Sequence, residues 1–234
     1  MAELRIDKYL SVALSVSRTE AKTLLKKGKI TVDSKVVSKP ETKVSDTAVV
    51  KCGDQELTYK KYIYILMNKP EGILSASTDK RVKTVVDILP ENLKRAGLFP
   101  VGRLDKNTTG LLIITDDGDF GHKVTSPKSL IEKRYLAGLD GEVKEEYIEV
   151  FKNGITLADG SECMSAGLEI LPNNYAIVTI REGKYHQIKR MFGVVGLGVN
   201  SLKRLSIGKM QLPTTLKEGE VKELNVSELQ QIFE

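Results

Sequence analysis

A short charged stretch between two apolar runs constrains this chain most. Gly102-Arg103-Leu104-Asp105-Lys106-Asn107-Thr108-Thr109-Gly110 follows Phe99-Pro100-Val101 and precedes Leu111-Leu112-Ile113-Ile114. Apolar runs this short, bounded by turn formers, read as buried strands. Asp, Asn and Gly suit the turn between them, because Asp and Asn bond nearby backbone and glycine tolerates positive φ. The expectation is a pair of core strands bracketing an exposed turn, a setting in which scaffolds present reactive groups. Asp105 is the first candidate for chemistry. Arg103 stands two residues before it, and residues i and i+2 share a face of extended chain. Arg103 therefore either pairs with Asp105 or acts on a bound partner.

The N-terminal segment follows another period. Ile6, Tyr9, Leu10, Ala13 and Leu14 have the spacing of an amphipathic helix. Ser17 and Glu20 have the spacing of a capping box and open a second helix with Ala21, Leu24 and Leu25 inward. Lys26 and Lys27 suit its negative end, and Gly28 is a natural stop. Residues 29–32 and 35–37 read as short strands around Asp33-Ser34, and 44–62 as further strand and linker. The domain boundary is placed near residue 60, giving an N-terminal domain with linker over 1–60 and a second domain over 61–234. In the second domain, strands are expected at 62–67, 110–115, 135–139 and 175–180, and helices at 84–88, 143–153 and 185–195. This order favours an α+β fold over a doubly wound parallel sheet.

Composition narrows the function classes. Of 234 residues, 41% are hydrophobic and 29% charged, as in globular proteins. No apolar run approaches the length that spans a bilayer, and the N-terminus lacks the apolar core of a secretion signal. The expectation is a cytoplasmic protein with no membrane partner. Two isolated cysteines, Cys52 and Cys163, and two histidines read as free thiols without a zinc site. No metal is expected, and no dinucleotide or phosphate-binding loop argues for a cofactor. The net charge is +5, and residues 1–43 hold ten Lys/Arg against five Asp/Glu. Residues 181–217 hold eight basic residues against Glu182 alone. Such a patch suits phosphates.

Longer patterns carry two resemblances. R-I-D-K-Y-L, S-R-T-E-A and G-K-I-T-V-D, in that order, resemble the small RNA-binding domain of ribosomal protein S4. The resemblance implies an RNA face formed by Arg5, Lys8, Arg18, Lys22, Lys26 and Lys27.

Four later segments resemble the pseudouridine synthases: the N-K-P-x-G turn at Asn68–Gly72, the G-R-L-D motif at 102–105, the K-x-Y of Lys133-Arg134-Tyr135, and Gly183-Lys184-Tyr185-His186-Gln187-Ile188-Lys189-Arg190. The resemblance implies a mixed, mainly antiparallel catalytic sheet behind a small α/β S4-like domain. It makes Asp105 the catalytic carboxylate, Tyr135 the ring against the target uracil, and Lys189 the cation paired with Asp105. Arg103 becomes the residue that displaces the base, a step that costs a few kcal/mol in stacking. Lys184 and Arg190 become RNA contacts, and Lys69 a candidate phosphate contact. His186 is read as structural or RNA-facing. The reaction so implied exchanges no electrons or groups, so it needs no cofactor.

Gly183–Gln187, with Thr108–Leu111, looks most like the branch called RsuA. That branch isomerises one uridine in small-subunit (16S) rRNA; related branches act on large-subunit rRNA. The implied partner is rRNA, within a small-subunit assembly intermediate, and the implied state is a monomer. Two other classes stay open at this point: a non-catalytic RNA-binding assembly factor, and a hydrolase using Asp105 with Asp116 or Asp117.

Overall fold

The computed structural model describes residues 3–14, 16–45 and 47–234, which form two compact units. One runs to Ile63 and takes in Glu91–Gly97; the other comprises Tyr64–Pro90 and Leu98–Glu234.

The N-terminal unit begins with β1 (Leu4–Arg5), α1 (Ile6–Ala13) and α2 (Arg18–Lys26). The capping box at α2 is formed: Ser17 Oγ accepts the Glu20 amide while the Glu20 carboxylate accepts the Ser17 amide. Gly28 follows with φ +66°, the left-handed stop anticipated for it. Next come β2 (Ile30–Val32), β3 (Lys35–Val36), β4 (Lys43–Val44), β5 (Val50–Cys52) and β6 (Gln55–Leu57). Asp33 and Ser34 both have positive φ, which matches the twist of a two-residue hairpin. The sheet order β3-β2-β5-β6 makes residues 50–57 a hairpin of this unit, where strand and linker were expected. Ile6, Leu10, Leu25, Ile30 and Val50 form its core.

The second unit carries β7 (Tyr64–Lys69), β8 (Phe99–Val101), β9 (Thr108–Thr115), α3 (Gly118–Thr125), β10 (Lys133–Leu139) and α4 (Glu146–Lys152). It continues with β11 (Gly167–Leu171), β12 (Tyr175–Ile180), α5 (Gln187–Val194), β13 (Val199–Ile207), β14 (Met210–Gln211), β15 (Val221–Glu223) and α6 (Val226–Gln230). Among the described residues its nine strands form one sheet, ordered β11-β12-β10-β13-β9-β7-β15, with β14 on β13 and β8 on β9. Only β9 and β13 pair in parallel. The expected mixed, mainly antiparallel sheet of an α+β fold is therefore present.

Leu111 and Ile113 of β9 pack with Leu66, Val101, Val124 and Ile207. Leu112 and Ile114 point the other way and are buried too. A strand covered on both faces reads as a continuous apolar run, which is what Leu111–Ile114 is.

Two expectations fail here. Residues 84–88 are turn rather than helix, because the Asp87 carboxylate accepts both the amide and the hydroxyl of Thr84 and closes the segment on itself. Asp117, one of the two acids open as a second carboxylate, is instead the cap of a helix. Asp117 caps α3 by accepting the Phe120 amide at 3.1 Å, and it also accepts the Tyr64 hydroxyl at 2.6 Å. This use as a cap removes Asp117 as a plausible second carboxylate for hydrolysis.

Candidate active site

The Asp105 turn is built by its neighbours' backbone. Gly102 has φ +77°, so the chain leaves β8 through a bend open to glycine. Ser75 Oγ donates to the Leu104 carbonyl and accepts the Leu104 amide. The Gly72 amide donates to the Lys106 carbonyl at 2.9 Å. Lys69 is fully buried, and its ammonium donates to the carbonyls of Pro70, Lys106 and Thr108 at 3.0, 3.1 and 3.0 Å. Burial pushes that ammonium down to about 8, against the opposing pull of Asp105, Glu71 and Glu218. The N-K-P-x-G turn thus clamps the loop that carries Asp105. Lys69 is a loop anchor and not a phosphate contact, because every proton of its ammonium already has an acceptor inside the fold.

Strands β9, β10, β12 and β13, the loop at 183–186 and the start of α5 complete a cleft around Asp105. Arg103, Tyr135 on β10, Lys184, His186 and Leu202 on β13 line it together with Asp105. Tyr135 is 7% exposed. The parallel register sets Thr108 opposite Leu202 and Gly110 opposite Arg204, which brings β13 against the strand that begins just after Asp105. Gly110 has φ +100°, and a Cβ there would lie 2.7 Å from the Arg204 amide nitrogen. Only glycine permits that approach.

His186 is the basic side chain that the structure sets against Asp105. Its Nε2 lies 3.5 Å from the carboxylate, whose side chain is 30% exposed. His186 adopts a left-handed backbone, φ 49°, immediately before α5. Buried Gln187 holds this turn: its Oε1 accepts the Lys184 amide and its Nε2 donates to Glu182.

The structure gathers part of the sequence-derived set and disperses the rest. Asp105, Arg103, Tyr135 and Lys184 share the cleft. Arg103 is exposed and makes no ion pair with Asp105 among the described residues, so the charge-pair alternative for it fails; residues 103–105 lie in the loop between β8 and β9 and not in a strand whose alternation would have aligned them. Lys189 also makes no ion pair with Asp105, because the left-handed turn aims His186 there instead and leaves Lys189 one helical turn further along α5.

Arg190 is tied to Asp159 at 2.5 Å and donates to the Tyr185 carbonyl. Hydrogen bonds from Ser161 and then Arg190 hold the Asp159 carboxyl well below the usual range. Lys184 donates to the Glu162 carbonyl and sits 3.6 Å from Glu182. The 181–217 patch is therefore not a uniform phosphate face: Arg181 pairs with Glu132, and Arg204 is buried.

In the N-terminal unit, Arg5 makes a bidentate pair with buried Asp7. Lys8, Arg18, Lys22, Lys26 and Lys27 are exposed. Arg18, Lys22 and Lys26 follow one another at i, i+4 along α2, on one stripe.

Sequence reasoning missed Arg204. Its side chain is 2% exposed, Nε donates to the Leu111 carbonyl at 2.7 Å, and Nη1 lies 3.4 Å from the Tyr135 hydroxyl. Its Nη2 has no hydrogen-bond partner, nor does Oγ1 of Thr108 nearby in the register. The alternation of Leu202, Arg204 and Ser206 toward the inside was the available signal, and the charge obscured it.

Comparisons with known proteins decide what this arrangement belongs to. Residues 63–193 match the family model described as RNA pseudouridylate synthase, and residues 4–50 match the S4 domain. The chain belongs to the RNA pseudouridylate synthase family. The synthase is 40% identical to ribosomal small subunit pseudouridine synthase A of Vibrio cholerae, over 98% of this chain and 100% of that protein. It is 39% identical to the RNA pseudouridine synthase YtzG of Bacillus subtilis, described as uncharacterized, over 97% of each chain. A crystal structure titled as a pseudouridylate synthase superposes with a TM-score of 0.69 at 33% identity, covering 98% of the synthase and 99% of that chain. The synthase is accordingly an isomerase acting on RNA, which removes the hydrolase and the non-catalytic factor as readings of its fold.

Proposed function

We propose that this synthase isomerises one uridine of small-subunit rRNA to pseudouridine, with Asp105 as the catalytic carboxylate. The observation that carries the reading is the convergence of Asp105 and Tyr135 in one cleft, with unpaired Arg103 at its edge. The choice of rRNA is supported by 40% identity, over essentially the full length of both chains, to a relative named for the small subunit.

In this reading the N1–C1′ bond breaks, uracil turns, and C5 bonds to C1′; the proton lost from C5 is balanced by one gained at N1. Asp105 supplies the carboxylate for detachment. Tyr135 stacks on the uracil and its hydroxyl takes part in moving the proton. Arg103 fills the space that the base leaves in its stack. The cation that balances Asp105 is His186 when protonated, and Lys189 serves the RNA-facing surface of α5. The residues 1–60 bind RNA through Lys8, Arg18, Lys22, Lys26 and Lys27, and Arg5 orders their face through Asp7. Residues 61–234 carry the chemistry. The synthase works in the cytoplasm as a monomer on an assembly intermediate, where the target loop is still open to the cleft.

Deleting the gene and mapping pseudouridine across both rRNAs tests the reading. One site in small-subunit rRNA should disappear, return with the wild-type gene, and stay absent with Asp105→Asn. Loss from large-subunit rRNA instead would overturn the substrate, and restoration by Asp105→Asn would overturn the site.

A further inference from the structure

Tyr185 stands open at the mouth of the cleft, 76% exposed. Its ring stacks on His186, with centroids 3.8 Å apart and planes at 18°. His186 in turn reaches Asp105 at 3.5 Å. A phenol, an imidazole and a carboxylate therefore run in series from solvent to the reacting centre. One face of the phenol is covered by the imidazole; the ring's exposure leaves the other face open.

The turn that presents this ring is held in place. His186 has φ 49°, a region that non-glycine residues seldom occupy. Such a conformation persists where the surroundings over-determine it. Here Gln187 ties Lys184 to Glu182, Glu182 accepts the Met164 amide, and Arg190 donates to the Tyr185 carbonyl. The hydrogen bonds fix the backbone on both sides of Tyr185, while the phenol itself contributes no buried packing. A rigid turn that carries an open ring suits a planar ligand.

Resting on the reading that the substrate is RNA, we infer that Tyr185 is the stacking platform for the nucleobase next to the target uridine. A flipped uridine leaves its neighbour with one stacking face empty. A ring fixed beside the cleft restores that contact whatever the base, because every base has a π-face. Lys184 on the same cleft favours a phosphate beside the flipped nucleotide.

The test uses a small-subunit assembly intermediate reconstituted on rRNA that carries the uridine mapped by gene deletion, intact or made abasic at the 5′ or the 3′ neighbour. Tyr185→Ala should raise KM on intact RNA by roughly tenfold and leave kcat within about twofold, while Tyr185→Phe behaves as wild type and shows that the turn folds. One abasic position should cost the wild type the same factor and cost Tyr185→Ala nothing further. Wild-type KM in Tyr185→Ala, or losses that multiply at both positions, would overturn the platform. If the wild type converts no uridine in the intact intermediate, the synthase reading on this RNA falls, and the platform with it.

Discussion

The guanidinium of Arg204 lies against the ring of Tyr135, 6.0 Å from its centroid, with one nitrogen 3.4 Å from the phenol oxygen. No acidic residue forms an ion pair with this buried cation among the described residues. Its fixed contacts are the Leu111 carbonyl, two residues beyond Thr109, and the Tyr135 hydroxyl. Arg204 is thus a positioning residue for Tyr135. Arg204→Met should lower kcat by about a hundredfold, in line with a misplaced group in proton transfer, and leave RNA affinity within about threefold. Arg204→Lys should restore part of kcat. Single-turnover kinetics with a binding titration would check this, and equal losses in kcat and affinity would place Arg204 in RNA binding instead.

The 3.5 Å contact between His186 and Asp105 separates two histories for the cation of the site. If His186 is that cation, His186→Ala should reduce kcat more than Lys189→Ala does, and Lys26→Ala should change only the salt-dependent affinity, with the salt slope falling by about one. A larger kcat effect for Lys189→Ala would return the role to the residue that the sequence motif suggested.

Lys133 yields a pH-dependent expectation for stability. Burial first, and then the charge of Arg204, push its ammonium from 10.5 down to about 8. Below pH 8 both folded and unfolded chains hold the proton, and the penalty of burying charge is present in full. Between about 8 and 10.5 the unfolded chain holds a proton that the folded chain has shed, so this group makes stability rise with pH. Lys133→Met should therefore raise Tm most below pH 8, with the gain shrinking as pH approaches 10. A gain independent of pH would show that the ammonium is not penalised by its surroundings.

Gly110 offers a test of the parallel seam. Its φ of +100° and the nearness of the Arg204 backbone leave no room for a methyl group. Gly110→Ala should destabilise the catalytic unit by at least about 1–3 kcal/mol, visible in a denaturant melt. Turnover should fall as well, because the seam sets Thr108 and Arg204 relative to Asp105. A melt like that of wild type would mean that β9 and β13 can part without harm.

Much of this architecture was legible because local rules and tertiary structure agree. The Ser17 and Glu20 cap, the stop at Gly28 and the double-sided burial of Leu111–Ile114 are each decided within a few residues. The Asp105 turn was legible for the same reason. β13 was not. Its buried face carries Leu202, Arg204 and Ser206, and charge and hydroxyl in place of apolar groups hide the period of two. Lys69 misled in the same way: a lysine inside the fold is explained by its neighbour's carbonyl at Pro70 and by two more, of Lys106 and Thr108, from a loop some forty residues away. The contact of His186 with Asp105 was not legible, since the left-handed backbone that produces it is held by Gln187 bonding Glu182 and Lys184.

The single parallel pairing also has a consequence in time. About a hundred residues separate Asp105 from Arg204, and β13 is the strand that closes the site against both β9 and β10. At roughly 5–20 residues per second, a ribosome making this chain finishes the turn bearing the carboxylate many seconds before it makes the strand that completes the cleft. Until β13 has been made, the cleft therefore lacks one of its walls. A product truncated between residues 194 and 198 keeps every motif by which the chain is recognised and still lacks the wall against which Tyr135 is set.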